Sequence, residues 1–412
     1  MSEIGLGETR PADDRGLRVL MLDPNASTPP YDRALCAALA RACCDVTLAT
    51  SRFLYEDLPS PRGYRIQEAF FRLVGGRLGR RLGLADRRAR IRRLLKAAEY
   101  PLDWALLLAG IERRRPDVVH VQWAVAPALD LRIWQRLRRL GIPIVYTAHN
   151  LLPHAARPGD AERYGRLYRA ADALIVHGER AAEALAERWA VPPERVVVAP
   201  HGPLLEEEPE LPRDVARRRL GLPLAAPLVL FAGLIEPYKG LDDLLAAFAR
   251  LTPARPNARL VIAGKPNVPL APIRADLARH GLAERTIIDA RFLPKLELAA
   301  YLCAADVVAL PYRAATSSGL LLAARRFGRP VVATAVGDLA ELIVDGVSGL
   351  LVPPRDPAAL AAALDRLLAN PALAAHLGAE GQRTTLAEGG WDVATRRTLD
   401  AYARAARHAV TP

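Results

Sequence analysis

The sequence predicts an α/β fold with two doubly wound domains, each built on a parallel sheet covered by helices, that face each other across a cleft. Short apolar runs rich in β-branched residues alternate with helical segments along the chain, which is typical of parallel sheets. A length of 412 residues suits two domains with a core each. Between the halves, residues 201–214 read HGPLLEEEPELPRD, where glycine, prolines and acids indicate a linker.

Each half contains six predicted strands, and helices fill the gaps between them. The strands of the first half lie at residues 17–22, 45–49, 117–122, 143–147, 173–177 and 195–199. Those of the second half lie at residues 227–232, 259–263, 286–289, 306–310, 330–333 and 349–352. Their continuous apolar character indicates strands that are buried on both faces. We therefore expect a first domain at residues 1–203 and a second at residues 204–389.

The composition is that of a globular protein, with 51% hydrophobic and 25% charged residues. No apolar stretch approaches the roughly 20 residues that a membrane-spanning helix needs. Residues 1–16 contain acidic residues and no apolar run, so we expect no secretory signal. The sequence therefore predicts a cytoplasmic protein without a transmembrane anchor.

The most informative segment is ADVVALPYRAATSSGLLLAARRFGRPVVAT at residues 305–334, which predicts a strand, a turn, a helix and a second strand. The residues that would open the helix are Thr316, Ser317, Ser318, Gly319 and Leu320. A helix start offers unpaired N–H groups and a positive dipole end, which suit a phosphate. Ordinary N-capping by serine and threonine is the alternative, and the two roles are compatible.

This segment resembles the donor-site region of the family 4 glycosyltransferases, the group 1 retaining enzymes with the GT-B fold. Three further segments resemble the same family in the same order: VVHVQWA at 118–124, IVYTAHNLLPH at 144–154 and LVLFAGLIEPYKGLDDLLAAF at 228–248. The resemblance covers nearly the whole chain. It implies two Rossmann-like domains, sugar transfer from a nucleotide diphosphate, and a terminal helix at 390–412 that crosses back to the first domain.

The resemblance implies two catalytic residues, Lys239 and His149. Lys239, in GLIEPYKG, matches a lysine that contacts the donor phosphates in the family. Independently, a lysine near a helix start opposes the helix dipole, and such conflicts tend to mark functional positions. His149, in TAHN, matches a histidine near the transferred sugar. The alternatives are a surface lysine and a loop histidine bonded to a backbone carbonyl.

Other positions complete the predicted site. On the donor side they are Gly233, Gly264, Lys265 and Glu341, of which Gly264 and Lys265 match a turn that meets the nucleotide base in the family. On the acceptor side they are Asp23, Asn25 and Asn150, which follow predicted strands. Turn chemistry alone also explains Asp and Asn after a strand.

The sequence departs from the family pattern at three positions. Leu234 replaces an arginine that follows Gly233 in the family, so Arg313 or Arg325 would have to supply that charge. Ala315 and Ala323 replace a pair of glutamates, one near the transferred sugar and one at the ribose. These changes leave open a second interpretation, a nucleotide-sugar-binding or scaffolding subunit. An epimerase is a further alternative within the fold.

Basic charge is concentrated in one segment of this chain, whose net charge is +12. From Arg72 to Lys96 there are ten lysine or arginine residues and one acid, Asp86. Leucines at helical spacing predict a basic amphipathic helix, suited to an anionic membrane face or a lipid-phosphate acceptor. A solvated helical face is equally compatible. Nucleic acid is not expected, because the segment lacks interleaved aromatics and no recognition motif is present.

Together these features predict a retaining transferase that moves a hexose from a nucleotide sugar to a hydroxyl of a glycan or lipid-linked acceptor, in polysaccharide or glycolipid assembly. No cofactor and no metal are expected, since no DxD-type pair of carboxylates is placed beside the phosphates. Helix-terminal amides and Lys239 would stabilise the leaving group instead. A peripheral position at the inner membrane face is a further expectation.

Overall fold

The computed structural model describes residues 16–56, 58–76, 89–153, 156–314, 318–388 and 390–410. Within these ranges the chain forms two parallel sheets, of seven and six strands, with helices packed on both faces of each. The predicted α/β fold with two doubly wound domains is therefore confirmed. Apolar strand residues and the inward faces of the helices form the cores.

The first sheet has the strand order β3-β2-β1-β4-β5-β6-β7. Its strands are β1 (Arg18–Asp23), β2 (Asp45–Thr50), β3 (Arg65–Glu68), β4 (Val118–Val121), β5 (Ile144–Thr147), β6 (Ala173–Val176) and β7 (Val196–Val198). The surrounding helices are α1 (Pro29–Arg41), α2 (Ala89–Arg114), α3 (Pro127–Arg139), α4 (Asp160–Ala170) and α5 (Glu179–Trp189). The strand order reverses between β1 and β4, and in such sheets the crevice at that point binds ligands.

The second sheet repeats this topology, with the order β10-β9-β8-β11-β12-β13. Its strands are β8 (Leu228–Ala232), β9 (Arg259–Ala263), β10 (Thr286–Asp289), β11 (Val307–Leu310), β12 (Val331–Thr334) and β13 (Leu350–Val352). Its helices are α6 (Arg213–Leu220), α7 (Leu241–Leu251), α8 (Leu270–Arg279), α9 (Lys295–Ala304), α10 (Gly319–Arg326), α11 (Leu339–Leu342), α12 (Pro357–Ala369) and α13 (Pro371–Glu388). The reversal lies between β8 and β11, so both switch points can open on one cleft.

Two parts of the first domain differ from the sequence expectation. The sequence did not predict strand β3, whose sequence is RIQE. This strand lies at the edge of the sheet and is mostly exposed, so it lacks the apolar run that marks a buried strand. The basic segment is not one helix, since residues 72–76 form turns and α2 begins at residue 89. Residues 77–88 lie outside the described residues, and so does most of the predicted basic helix.

The last helix, α14 (Trp391–Val410), lies on the first domain. Trp391 and Tyr402 are buried in the same core cluster as the inner residues of β1 and α1, and Trp391 Nε1 donates to Pro203 O at 3.1 Å. Gly202 allows this approach, because a Cβ there would lie 2.3 Å from the Trp391 ring. The last described helix therefore packs on the first domain and ties the linker to it.

No single helix in the described ranges is long and apolar enough to cross a membrane. Helix α12 and residues 371–385 of α13 together reach the required length and apolar character, but they are bent by 103° at their junction.

A buried arginine holds the start of the second domain. Arg217, on α6, is 1% exposed and donates to Asp306 Oδ2 at 2.7 Å, beside β11. It also donates to the backbone oxygens of Ala304, Pro223, Leu224 and Ala226. Because a buried guanidinium must have all its donors satisfied, this one side chain fixes α6 against the sheet.

Helix α11 of the second domain contacts the N-terminus of α5 in the first domain. Glu341 Oε1 accepts from the backbone N–H of Arg180 at 3.1 Å and lies 3.3 Å from its Nε. Asp338 packs beside Gly178 and is 3% exposed. Burial, and then the charge of Glu341, raise the pKa of Asp338 to about 7, against the opposing effect of Arg180.

We expect Arg217→Met to lower the free energy of unfolding by about 3–5 kcal/mol, because it removes the donor to four backbone carbonyls and leaves Asp306 with the exposed Arg213 as its ion-pair partner. The neighbouring Arg218→Met is the matched control, since Arg218 forms only an exposed pair with Asp214 and its loss should cost less than about 1 kcal/mol. Urea unfolding followed by circular dichroism measures both. Equal losses in the two variants would contradict the role given to Arg217.

The raised pKa of Asp338 predicts a pH dependence of stability. In the unfolded chain the carboxyl ionises near pH 4, whereas in the folded protein it holds its proton to about pH 7. Stability should therefore fall as pH rises through this window and then level off, because the folded state binds the additional proton. We expect Asp338→Asn to remove this slope and to be more stable than wild type at pH 8.

Thermal melting between pH 4 and pH 8 tests this prediction. Asp400→Asn, at an exposed position on α14, is the control and should leave the slope unchanged. A wild-type slope that persists in Asp338→Asn would show that another group causes it.

Candidate functional site

A cavity of about 450 Å³ lies between the two domains. The first domain and the linker contribute Ala26, Ser27, Pro29, Pro30, Phe53, Tyr55, Glu56, Leu204 and Leu205. The second domain contributes Gly233, Leu234, Lys239, Gly264, Lys265, Asn267, Phe292, Leu293, Lys295, Leu298, Gly319, Leu320 and Ala323. Most of these residues follow the carboxyl ends of strands, where the parallel sheets of both domains direct their loops.

The cavity wall includes the ammonium group of Lys239, at the end of the short turn Pro237–Lys239 that precedes α7. Lys239 is 9% exposed, and its Nζ lies 5.5 Å from the centre of the Tyr312 ring. Among the described residues no carboxylate pairs with this ammonium. A largely buried charge without a partner is costly, so this position suits an anionic ligand in the cavity.

Two glycines allow the backbone to line the cavity beside Lys239. Gly233 directly follows β8 with φ 91°, and a Cβ there would lie 3.3 Å from Lys239 Nζ. Gly264 directly follows β9 with φ 150°, and a Cβ there would lie 1.8 Å from Gly233 O. The close approach of the two strand ends therefore excludes any side chain at Gly264.

The start of α10 faces the same cavity. Ser318 caps the helix, because its Oγ accepts from Leu321 N at 3.2 Å. Gly319 and Leu320 line the cavity as the first two helical residues, whose amides have no partner within the helix. The site thus brings helix-terminal N–H groups and Lys239 to one cavity. Thr316, Ser317 and Ala315 lie outside the described residues.

The departures from the family pattern change which side chains carry charge in the cavity. Leu234 is 43% exposed and lines it, and Ala323 lines it where a glutamate was expected. Arg313 is paired with Asp242 and Asp243 and does not line it. Arg325 is buried and donates to Leu342 O and to Ser348 Oγ, away from the lining. The cationic side chains of the described lining are therefore Lys239, Lys265 and Lys295.

An aromatic contact between the two domains forms part of the cavity lining, and the sequence did not predict it. Tyr55, from the loop after β2, stacks on Phe292 of the second domain at 5.1 Å and 23°. Lys265 donates from Nζ to the Tyr55 hydroxyl at 2.5 Å, and Phe53 packs edge-on against Phe292. The sequence signal was the run Phe53–Leu54–Tyr55 in the loop shortly after β2, since exposed aromatics at the end of a strand often contact ligands or partners.

His149 lies behind the cavity rather than in its lining. The ring is 5% exposed, and Trp123 stacks on it at 4.9 Å. Its Nδ1 lies 3.1 Å from His177 Nε2, and its Nε2 lies 2.9 Å from the side-chain amide of Gln122. Burial, and then the neighbouring histidines, hold the pKa of His149 well below its ordinary value.

The contacts of His149 limit where its proton can sit. His177 Nδ1 donates to Ala199 O at 3.0 Å, so a neutral His177 presents Nε2 as an acceptor to His149 Nδ1. The Gln122 amide places Oε1 at His149 Nε2 and its own Nε2 at Met21 Sδ, 2.8 Å away. Both neighbours therefore present acceptors, and a neutral His149, which carries one N–H, donates to one of them. To bind a sugar hydroxyl, His149 would have to give up one of these bonds.

The remaining predicted residues lie outside the lining of this cavity. Asp23 is fully buried and accepts the backbone N–H groups of Ser27 and Thr28, so it shapes the loop after β1. Asn25 Oδ1 accepts from Lys96 at 3.1 Å, and Asn150 is half-buried after His149. Glu341 lies in the contact with Arg180, outside the cavity lining.

Comparison with known proteins identifies the family. Residues 226–370 match the family described as "Glycosyl transferases group 1", and residues 31–203 match "Glycosyltransferase Family 4". The D-inositol 3-phosphate glycosyltransferase of Xylanimonas cellulosilytica is 35% identical over 311 residues, which cover 71% of this chain and 72% of that protein. The protein of the same name from Thermobispora bispora is 32% identical, over 76% of this chain and 77% of its own length.

Solved structures show the same fold. Sucrose-phosphate synthase from Thermosynechococcus elongatus has a TM-score of 0.74 and 24% identity, covering 94% of this chain and 98% of its own. Anabaena HepE, in complex with UDP and glucose, has a TM-score of 0.70 and 17% identity, covering 94% and 99%. The predicted GT-B fold is confirmed, and the chain belongs to the family 4, group 1 glycosyltransferases.

Proposed function

We propose that this glycosyltransferase moves a hexose from a nucleotide diphosphate sugar to a hydroxyl acceptor with retention of the anomeric configuration. The observation that carries the proposal is the position of Lys239, whose largely buried ammonium enters the cavity without a carboxylate partner among the described residues. A diphosphate in the cavity would supply the missing negative charge. Gly319 and Leu320 would add amide donors to the same group.

This arrangement suits departure of a nucleotide diphosphate. As the bond between the sugar and the phosphate oxygen breaks, negative charge grows on that oxygen. Fixed cations and N–H donors in a site with little water stabilise growing charge more than they would in solution. Lys239 therefore contributes most when the leaving group is fully charged.

Retention is proposed to proceed by front-face substitution. The acceptor oxygen bonds to the anomeric carbon on the face from which the phosphate oxygen leaves, and the acceptor proton passes to that oxygen. Atoms and charge balance without an enzymic nucleophile. The sequence supports this route, because Ala315 stands where the family has its carboxylate near the transferred sugar.

We also propose that the reaction needs neither a metal nor another cofactor. Within the described lining the cations are three lysines and the acidic side chain is Glu56, so the protein itself supplies positive charge to the phosphates. Glu56 accepts from Lys295 N at 3.3 Å and is thus engaged at the start of α9.

The donor and acceptor are proposed from the relatives. HepE has been crystallised with UDP and with UDP-glucose, which makes a uridine diphosphate hexose the first donor to test. The curated relatives are named for D-inositol 3-phosphate, a polyol acceptor. A glycan or lipid-linked acceptor and a cytoplasmic, peripheral position at the inner membrane face remain proposals that rest on the basic segment from Arg72 to Lys96.

A second candidate is a nucleotide-sugar-binding or scaffolding subunit without turnover. Ala323 and Leu234 in the lining favour it, because the family has charged side chains at both positions. The two functions differ in one measurement, since a scaffold binds the donor but releases no nucleotide diphosphate in the presence of any acceptor.

We expect Lys239→Gln to lower kcat/KM by about 10²–10³-fold, the usual cost of removing one preorganised group that stabilises transition-state charge. Binding of UDP should weaken as well, measured as a smaller rise in melting temperature at a fixed UDP concentration. UDP release from UDP-glucose is the activity readout, with inositol 3-phosphate and glucose as trial acceptors.

Arg250→Gln is the matched control, because Arg250 is an exposed cation at the far end of the helix that follows Lys239. It should leave both UDP binding and turnover at wild-type values. Wild-type affinity for UDP in Lys239→Gln would overturn the donor site. Donor binding with no turnover in any acceptor mixture would favour the scaffold.

A further inference from the structure

A side chain of the first domain enters the cavity between the domains and lies on the second domain. Tyr55, in the loop after β2, stacks on Phe292 with ring centres 5.1 Å apart and ring planes inclined by 23°. Phe53 packs edge-on against both rings, with centres 5.4 Å from Tyr55 and 5.7 Å from Phe292. Tyr55 remains 50% exposed, and none of the three rings is among the described residues of the hydrophobic cores. The cores of the two domains therefore do not require this contact.

Two groups of the second domain hold the Tyr55 ring. Phe292 contacts its face, and Lys265 Nζ donates to its hydroxyl at 2.5 Å and lies 3.9 Å from its ring centre. Lys265 follows β9 and Phe292 follows β10, and these two strands are paired in the second sheet. Both groups thus belong to one edge of one sheet, so they keep their arrangement whether or not the loop that carries Tyr55 lies on them.

Phe292 and Lys265 form a slot for a planar ring that carries a hydrogen-bond acceptor. An aromatic face attracts another ring by stacking, and an ammonium group donates to a carbonyl or hydroxyl oxygen at the ring edge. The base of a nucleotide has both features, and its stacking on an aromatic side chain favours binding. Both residues line the same cavity as Lys239 and Gly319, which the proposed donor would contact through its diphosphate. Phe292 is also the aromatic ring that the second domain contributes to the described lining.

We propose that Phe292 and Lys265 bind the base of the donor nucleotide and that Tyr55, which fills this subsite in the structure, competes with the base for it. This inference rests on the transferase function proposed above. Because two rings in contact leave no room for a third between them, the base enters only when Tyr55 leaves Phe292. The apparent affinity for the donor is then reduced to the fraction of molecules in which the subsite is free.

The same loop makes a second contact with the second domain. Glu56, next to Tyr55, accepts from the backbone N–H of Lys295 at 3.3 Å, at the first residue of α9. This distance is longer than that of an ordinary N–H···O bond, so the contact is weak. Tyr55 and Glu56 together hold the loop across the cleft. Entry of the base therefore loosens a contact between the domains, and donor binding is tied to release of the loop.

Calorimetric titration with UDP and with inorganic pyrophosphate tests this competition, because pyrophosphate has no base. Tyr55→Ala should bind UDP about tenfold more tightly than wild type, the gain expected when one aromatic contact and one hydrogen bond no longer compete. Its affinity for pyrophosphate should equal that of wild type. Tyr55→Phe keeps the ring and loses the acceptor for Lys265, so its gain in UDP affinity should be smaller, about threefold.

Two further variants separate competition from other roles of the loop. Leu54→Ala changes the exposed neighbour of Tyr55, which is outside the described lining of the cavity between the domains, and should leave both affinities unchanged. Phe292→Ala removes the surface on which the base stacks, so it should weaken UDP binding by about tenfold and keep pyrophosphate binding. Melting curves establish that each variant is folded.

The position of Tyr55 is followed by fluorine NMR. In protein labelled with 3-fluorotyrosine, the Tyr55 signal is the one that disappears in Tyr55→Phe. Saturating UDP should shift this signal, because the ring leaves Phe292, and pyrophosphate should leave it in place. A Tyr55 signal that saturating UDP does not move would contradict the competition.

The binding data separate failure of this inference from failure of the donor site. Tighter UDP binding in Tyr55→Ala, with a displaced Tyr55 signal in wild type, supports the competition. Unchanged UDP affinity in a folded Tyr55→Ala would overturn it, and so would weaker UDP binding, which would show that Tyr55 stacks on the bound base instead. If wild type and Tyr55→Ala bind neither UDP nor pyrophosphate, the donor site is overturned and this inference with it.

Discussion

The position of the Lys239 ammonium group depends on the geometry of the strand ends around it. Gly233 and Gly264 allow β8 and β9 to end in contact, and the Lys239 ammonium lies beside the Gly233 backbone, 5.5 Å from the centre of the Tyr312 ring. No described carboxylate meets it there. Because an unpaired buried charge is unfavourable, this position favours an anionic ligand. Under the proposed function, the donor diphosphate would supply the charge that the protein does not provide there.

The residues that the family pattern leads one to expect are partly missing from the cavity. An alanine at 323 and a leucine at 234 replace one negative and one positive side chain, and the charged side chains of the described lining are three lysines and Glu56. The family's glutamates would have paired with sugar and ribose hydroxyls. In the described lining the polar groups that could take over such contacts include Asn267 and the amides of Gly319 and Leu320. Under the proposed function, recognition of the donor would rest less on charged hydrogen bonds and more on the shape of the cavity.

The sequence predicted the sheets well, because a strand buried on both faces requires an apolar run that a single sequence displays. Each of the twelve predicted strands is present, and β3 was missed because an exposed edge imposes no such run. The site was harder to predict. Ser318 and Lys239 follow from helix-start chemistry, but Tyr55 and Phe292 are far apart in sequence and meet only because the linker brings the domains together. The histidine chain through His149 and His177 likewise needs tertiary contacts.

Cations reach the cavity between the domains from more than one element, and this has an electrostatic consequence. Lys239 follows β8, Lys265 follows β9 and Lys295 begins α9, so the described lining carries three cations and one acid, Glu56. Under the proposed function, negative charge would grow on the leaving phosphate beside these cations, and fixed positive charge would offset it. Salt should weaken the contributions of Lys265 and Lys295 more than that of Lys239, because Lys239 is largely buried and the other two are half-buried.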